Sequence, residues 1–324
     1  MKKRLLVLEL WGLGDLAIAV PFLQAASEQF AVTLIAPPVA GALKKRFFPT
    51  VELRPFVAPW TAFRGKYRFL HWPWKEFASL IRECRSSGFE AAVSGRWDLR
   101  EHLLLALLGA KKTLGFPNRG SRVLLTHPLT RVSPLAHRYE DWKVAATVLG
   151  IDLPALSDLK LPLSGNRTTA LVHTGAARAL RVWPLDRYAQ IIQFLRSLGM
   201  PVMVVCDRDQ KEWWITHGEK DVRAPSSIGE LLSVIDESAL FIGNDSGPGH
   251  LAALCGIPTF TFFGPQFPEW FHPIHPMARW IDGKACPYKQ CFDYCRFTTP
   301  HCLHGITCDE AIARITQFVQ SVRI

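Results

Sequence analysis

No apolar run in this 324-residue chain reaches the ~18 residues that a bilayer-spanning helix requires, which excludes a helical integral membrane protein. No internal repeat and no low-complexity tract is present, so solenoids and fibrous chains are excluded as well. Charged residues are only 20% against 48% hydrophobic, a balance that excludes a disordered chain and suits two domains of ordinary size. Acidic residues are in deficit, 28 against 38 Lys and Arg, leaving a formal charge of +10. Such a surface attracts anions, whether nucleotides, phosphorylated glycolipids or anionic lipid. The basic residues are scattered and form neither a basic helix nor an RNA-binding motif, so no nucleic-acid partner is expected.

The start, MKKRLLVLELWGLGDLAIAVPFLQAAS, imitates a signal peptide. Glu9 and Asp15 interrupt what would be its apolar core, and Gly12, Gly14 and Pro21 punctuate it as strand, turn and helix. A retained first strand and a cytoplasmic address are therefore expected. The eight cysteines include no Cys-x₂-Cys pair, which argues against a zinc ribbon. Cys84, Cys206 and Cys255 are isolated and read as small core residues. Cys286, Cys291, Cys295 and Cys302 crowd into one segment beside His301, His304 and Cys308. Four thiolates there could close a structural zinc or iron site, stay reduced without metal, or form disulfides.

Short β-like runs alternate with helical stretches throughout. RLLVLEL, AVTLIAP and FEAAVSG read as strands, DLAIAVPFLQAASEQF and REHLLLALLGA as helices. The rhythm restarts with strand TTALVHTG, helix PLDRYAQIIQFLRSLG, strand PVMVVCD, helix SIGELLSVIDES, strand ALFIGND, helix GPGHLAALCG and strand IPTFTFFGP. The fold class is therefore α/β, with two doubly wound parallel sheets. Pro, Ser, Gly and Asn gather without apolar period at 159–169, which places the linker there and the domains at 1–163 and 164–324.

Ligands of such sheets bind beyond the carboxyl ends of the strands. In ALFIGNDSGPGHLAALCG a polar turn meets a helix start, a place where backbone N–H groups and the helix dipole favour an anion. Gly247 and Gly249 leave room for a phosphate, and His250 sits in the first turn. Asp245 or Ser246 as a mere N-cap is the plainer reading. In VHTGAARALRVWPLDRYAQII, Thr174, Gly175, Arg178 and Arg181 supply a hydroxyl, a bare backbone and two guanidinium groups, as a diphosphate requires; solvated arginines are the alternative. In LELWGLGDLAIAVP, Gly12 and Gly14 form a loop and Asp15 opens a helix, but the third glycine of a dinucleotide fingerprint is missing.

Together these segments resemble glycosyltransferase family 9, the ADP-heptose:lipopolysaccharide heptosyltransferase family. GNDSGPGHLAALCGIPTFTFFGP is similar to its NDTGxxHLAAAxGxPxxxxFGP signature, with Ser246 where Thr is usual. GLGDLAIAVPFL resembles its N-terminal Gly-Asp loop, and HTGAARALRVWPLDRYAQII its GxxxxxKxWPxExxxxL segment, with Arg181 in place of Lys. The resemblance implies the GT-B architecture, two Rossmann-like domains facing a central cleft, with the acceptor bound mainly by the first and the nucleotide sugar by the second. It implies an inverting transfer of heptose from ADP-heptose to a hydroxyl of a lipopolysaccharide core or related glycoconjugate, with no cofactor required for catalysis. Asp15 would be the general base beside the acceptor-side loop of Gly12 and Gly14. Thr174 and Arg181 would hold the donor phosphates, and Asp245, Ser246, Gly247 and His250 would surround sugar and diphosphate. WTAFRGKYRFLHWPWKEF, aromatic and basic, could grip an anionic glycolipid, touch the cytoplasmic face of the inner membrane, or merely cover the sheet edge. The last helix is expected to pack back on the N-terminal domain.

Overall fold

The computed structural model describes residues 2–62, 68–162, 167–291 and 294–322. Within them the chain forms two compact units, Met1–Pro154 and Ala155–Ile324.

In the first unit, six strands form one parallel sheet: β1 (Lys3–Leu8), β2 (Phe30–Ala36), β3 (Glu52–Pro55), β4 (Ala91–Ser94), β5 (Lys112–Gly115) and β6 (His127–Pro128). Their order is β3-β2-β1-β4-β5-β6. Leu5 to Leu8 are wholly buried, as in a strand covered by helices on both faces. Leu6, Leu8, Leu104, Leu105 and Leu108 share one core with Phe77 and Leu80, each leucine contributing about 1.5–3 kcal/mol by its burial. The strand order reverses between β1 and β4, where an open α/β sheet presents its ligand crevice. Gly12 is the N-cap of the helix Leu13–Gln29, in extended conformation. Gly14 lies inside that helix's first turn, a correction to the loop expected of it, because the chain leaves β1 and turns helical within a few residues.

The second unit repeats the plan with β7 (Ala170–His173), β8 (Val202–Val205), β9 (Val222–Arg223), β10 (Leu240–Asn244), β11 (Thr259–Phe263) and β12 (Arg279–Asp282). All are parallel, in the order β12-β11-β10-β7-β8-β9, so the reversal falls between β7 and β10. Trp183 stacks on Phe262 at 4.3 Å and forms the centre of the core with Tyr188, Ile191 and Phe260.

The division between the units differs from the sequence reading. The units divide after Pro154, ahead of the expected 163/164, because Pro162 already belongs to the second unit: its carbonyl lies against Gly256. Residues 163–166, the centre of the expected linker, lie outside the described residues. The final helix, Cys308–Val322, packs on β12 and on the helix Leu185–Ser197. Its Ala311, Ile315 and Phe318, spaced to share one face, fill the second unit's own core.

Candidate active site

Each unit carries one polar constellation, and each lies where its strand order reverses. In the first unit Asp15 occupies the first turn of the helix Leu13–Gln29, where the helix dipole favours a negative charge. Its carboxylate pairs with the guanidinium of Arg96, which follows β4. Arg96 lies over the ring of Trp11 at 4.8 Å. Trp11 is held in turn by its indole N–H, which donates to Glu101 Oε1 at 2.6 Å, and by its backbone N–H to Glu9 Oε1 at 3.3 Å. Behind this pair Arg138 donates to the Gly95 carbonyl at 2.7 Å and to Asp141 at 2.6 Å, while Arg131 reaches the other oxygen of Asp141 at 2.9 Å.

Burial of so many charges distorts their acidity. Glu9 is pushed up to about 8, first by burial and then by the negative charge of Asp15, with Arg96 pulling the other way. Glu101 is raised by burial against the hydroxyl of Ser94 and the charge of Arg96. Burial also disfavours the charge on Arg96, but the acidic groups around it, Asp15 first, outweigh it and hold the cation. Arg138, buried beside Arg96, is lowered to about 10.

In the second unit the Arg178 and Arg181 loop follows β7, and Asp245 follows β10. Arg181 Nη1 lies 3.2 Å from Asp245 Oδ2, which brings together two residues 64 apart in sequence. Ser246 is the N-cap of the helix Gly247–Leu254, its hydroxyl donating to the Asn244 carbonyl at 3.2 Å rather than into the helix. The first-turn N–H groups of that helix therefore receive no side-chain cap from it, beside a guanidinium. This is a ready arrangement for an anion. His250 is buried in the same helix. Gly175 is required by close approach, since a Cβ there would meet the Asp207 carboxylate at 2.4 Å.

Two expectations are corrected here. Thr174 is wholly buried; its hydroxyl donates to Gln210 Oε1 at 2.9 Å and accepts from the Trp214 indole at 3.2 Å, so it organises the loop from within. Gly249 is small for packing rather than for a phosphate, because a Cβ would press on the Phe241 ring at 3.3 Å.

Several polar residues of these constellations were missed by sequence reasoning. Asn244 is wholly buried; its amide N–H₂ donates to the Thr174 and Gly175 carbonyls, and its oxygen accepts from Trp183 N at 3.0 Å and Tyr188 Oη at 2.9 Å. It ties the end of β10 to the loop after β7. Arg96, Glu101, Arg138 and Asp141 were also missed, although Arg96 in SGRWDLR follows a strand end, the one signal available.

Cys286, Cys291, Cys295 and Cys302 do converge. With His301 they line a cavity of about 20 Å³, room for one water-sized species. Burial first, then the neighbouring thiols, raises Cys302. The donors suit a soft or borderline metal in kind. Among the described residues, however, no group of three or more His, Cys, Asp or Glu is arranged to hold an ion.

Two Rossmann-like units, each with polar residues gathered where its strand order reverses, match the GT-B architecture. The chain belongs to glycosyltransferase family 9 (heptosyltransferase), whose sequence model matches residues 110–299, more than half of its length. It is 26% identical over 103 residues to lipopolysaccharide heptosyltransferase 3 of Escherichia coli K12. That match covers 29% of this chain and spans 30% of the relative's length. The fold is similar to that of E. coli heptosyltransferase WaaC solved with ADP, with a TM-score of 0.73 at 14% identity over 98% of this chain and 99% of that one. It also resembles the iron-containing dodecameric glycosyltransferase TibC of enterotoxigenic E. coli H10407, with a TM-score of 0.55 at 16% identity, covering 99% and 78%.

Proposed function

We propose that the protein transfers heptose from ADP-heptose to a hydroxyl of a lipopolysaccharide core, with inversion and without a catalytic metal. The observation that carries this reading is the anion site of the second unit, where Arg181, aimed by Asp245, stands at the start of the helix Gly247–Leu254. Membership of a heptosyltransferase family and the likeness to a fold solved with ADP support the choice of donor.

The transfer balances as a single displacement. The acceptor O–H gives its proton to Asp15, the oxygen attacks the anomeric carbon, and the bond from that carbon to the diphosphate oxygen breaks with its electron pair. ADP leaves carrying negative charge, which Arg178, Arg181 and the positive end of the helix Gly247–Leu254 offset. A positioned base contributes about 10²–10⁴-fold. Gly175, Ser246 and His250 complete the donor pocket, and Thr174 acts through the loop it anchors.

The acceptor side includes Gly12 and an exposed aromatic and basic surface of Phe69, Leu70, Trp74, Arg68 and Lys75, suited to an anionic glycolipid at a membrane face. Residues 63–67 of that stretch lie outside the described residues. Among the described residues no helix is long and apolar enough to cross a membrane. The convergence of four thiols supports a structural zinc or iron that would tie down the segment 286–302, with no part in the transfer. Elemental analysis of the purified protein tests it: one equivalent of metal supports the site, and none together with four titratable thiols removes it.

Calorimetric titration with ADP, UDP, GDP, dTDP and CMP tests the donor. Preference for ADP is expected, and preference for another nucleotide would discard heptose while keeping the fold and the displacement.

A further inference from the structure

The charged cluster behind Asp15 contains more acid than a single base needs, and its partners can be accounted for one by one. Glu101 is tied by two donors, Ser94 Oγ and the Trp11 indole. Asp141 is tied by Arg131 and Arg138. Arg138 is committed to Asp141 and to the Gly95 carbonyl. Arg96 is held at both ends: its backbone N–H donates to Ser94 Oγ at 3.1 Å, its carbonyl accepts from His102 Nε2 at 3.1 Å, and its guanidinium lies over Trp11. Among the described residues, Asp15 and Glu9 are the carboxyls left to compete for that guanidinium, and it pairs with Asp15.

We propose that Arg96 is the positioning residue of Asp15, and that the buried Glu9 carboxyl is arranged to leave that guanidinium to Asp15. The inference rests on the reading of Asp15 as the base. Glu9 is 1% exposed, and among the described residues it accepts from the Trp11 backbone N–H at 3.3 Å, a weak partner for a carboxylate but adequate for a neutral acid. The groups facing it are Asp15 from the helix Leu13–Gln29, Arg96 after β4, Glu101 from the helix Leu99–Leu108 and Arg138 from the helix Arg138–Leu149. With two acids raising it and two guanidinium groups lowering it, burial decides, and Glu9 keeps its proton through neutral pH. An ionised Glu9 would divide Arg96 between two carboxylates and let the base swing.

The test pairs a titration with kinetics. In wild-type protein carrying ¹³C-labelled Glu carboxyls, Glu9 is expected to titrate far above the ordinary carboxylate range. Its midpoint should fall in Asp15→Asn, which removes a neighbouring negative charge, and rise in Arg96→Met, which removes a positive one. With ADP-heptose and lipopolysaccharide core as substrates, Arg96→Met should lower kcat about a hundredfold with little change in donor KM, as expected when a base is misplaced. Arg96→Lys should recover part of kcat, since it keeps the charge without the planar fork. Should Arg96→Met fail to fold, Arg96→Lys alone carries the kinetic arm. Glu9 titrating like an ordinary carboxylate, or unmoved in both variants, overturns the proposal, as does full kcat in both Arg96 variants. Absence of transfer by the wild type would overturn the functional reading instead, while the titration still decides the pairing.

Discussion

The guanidinium of Arg181 and the carboxylate of Asp245 meet at 3.2 Å, joining the loop after β7 to the turn after β10 beside a helix N-terminus. Asp245 is almost wholly buried and Arg181 partly open, so the acid acts as the anchor and the cation as the working end. Replacing Arg181 by Ala should weaken ADP binding about tenfold to a hundredfold, the range of a charge-assisted hydrogen bond. Calorimetry checks this, and unchanged ADP affinity would remove Arg181 from the donor site.

Asn244 makes four hydrogen bonds from a fully buried position, two of them to carbonyls of the loop that carries Arg178 and Arg181. Asn244→Ala leaves those groups unpaired and should cost about 3 kcal/mol of stability, as buried unsatisfied polar groups do. Urea denaturation reads the loss. A variant as stable as wild type would show that the loop is held by other contacts.

Gly256 has a φ of +76°, and a Cβ placed there would stand 1.7 Å from the Pro162 carbonyl oxygen. Gly256→Ala therefore combines backbone strain with a clash against main chain, and should cost more than about 3 kcal/mol. Thermal melting checks it; a small shift would mean that the segment around Pro162 moves away freely.

Glu9 gives stability a distinctive pH dependence. Its folded value lies near 8 against 4.5 for the free side chain, so between those values the folded chain keeps a proton that the unfolded chain has released. Stability from this group is complete below about pH 4.5, falls by about 1.4 kcal/mol per pH unit above it, and levels off beyond about pH 8. Glu9→Gln should flatten that slope and raise stability at pH 7.5 relative to wild type. Denaturant titrations from pH 5 to 8.5 measure it, and parallel curves for the two proteins would contradict the burial argument.

The parts of this molecule that were legible in sequence are those where one segment carries the whole signal. RLLVL read as a buried strand because its apolar run is continuous, TFTFF because β-branched and aromatic residues fill it, and GNDSGPGHLAAL read as a strand, turn and helix start because its glycines, proline and polar residues are adjacent. Strands β3, β5, β6, β9 and β12 have two to four residues each and no period to detect. The cluster around Asp15 draws Glu9, Arg96, Glu101, Arg138 and Asp141 from separate elements, which the parallel pairing of β1 with β4 and the packing of the helix Arg138–Leu149 on the helix Leu13–Gln29 put together. Thr174 was placed correctly at a strand end, but its burial depends on Gln210 and Trp214, which nothing near it in sequence announces.

The most direct test of the central claim is a transfer assay with ADP-heptose and a lipopolysaccharide core acceptor, following both ADP release and the mass of the acceptor, for wild type and Asp15→Asn. The account predicts that wild type adds one heptose per ADP released, and that Asp15→Asn loses at least about a hundredfold in kcat while binding ADP as tightly. Wild-type transfer that survives undiminished in Asp15→Asn would contradict it.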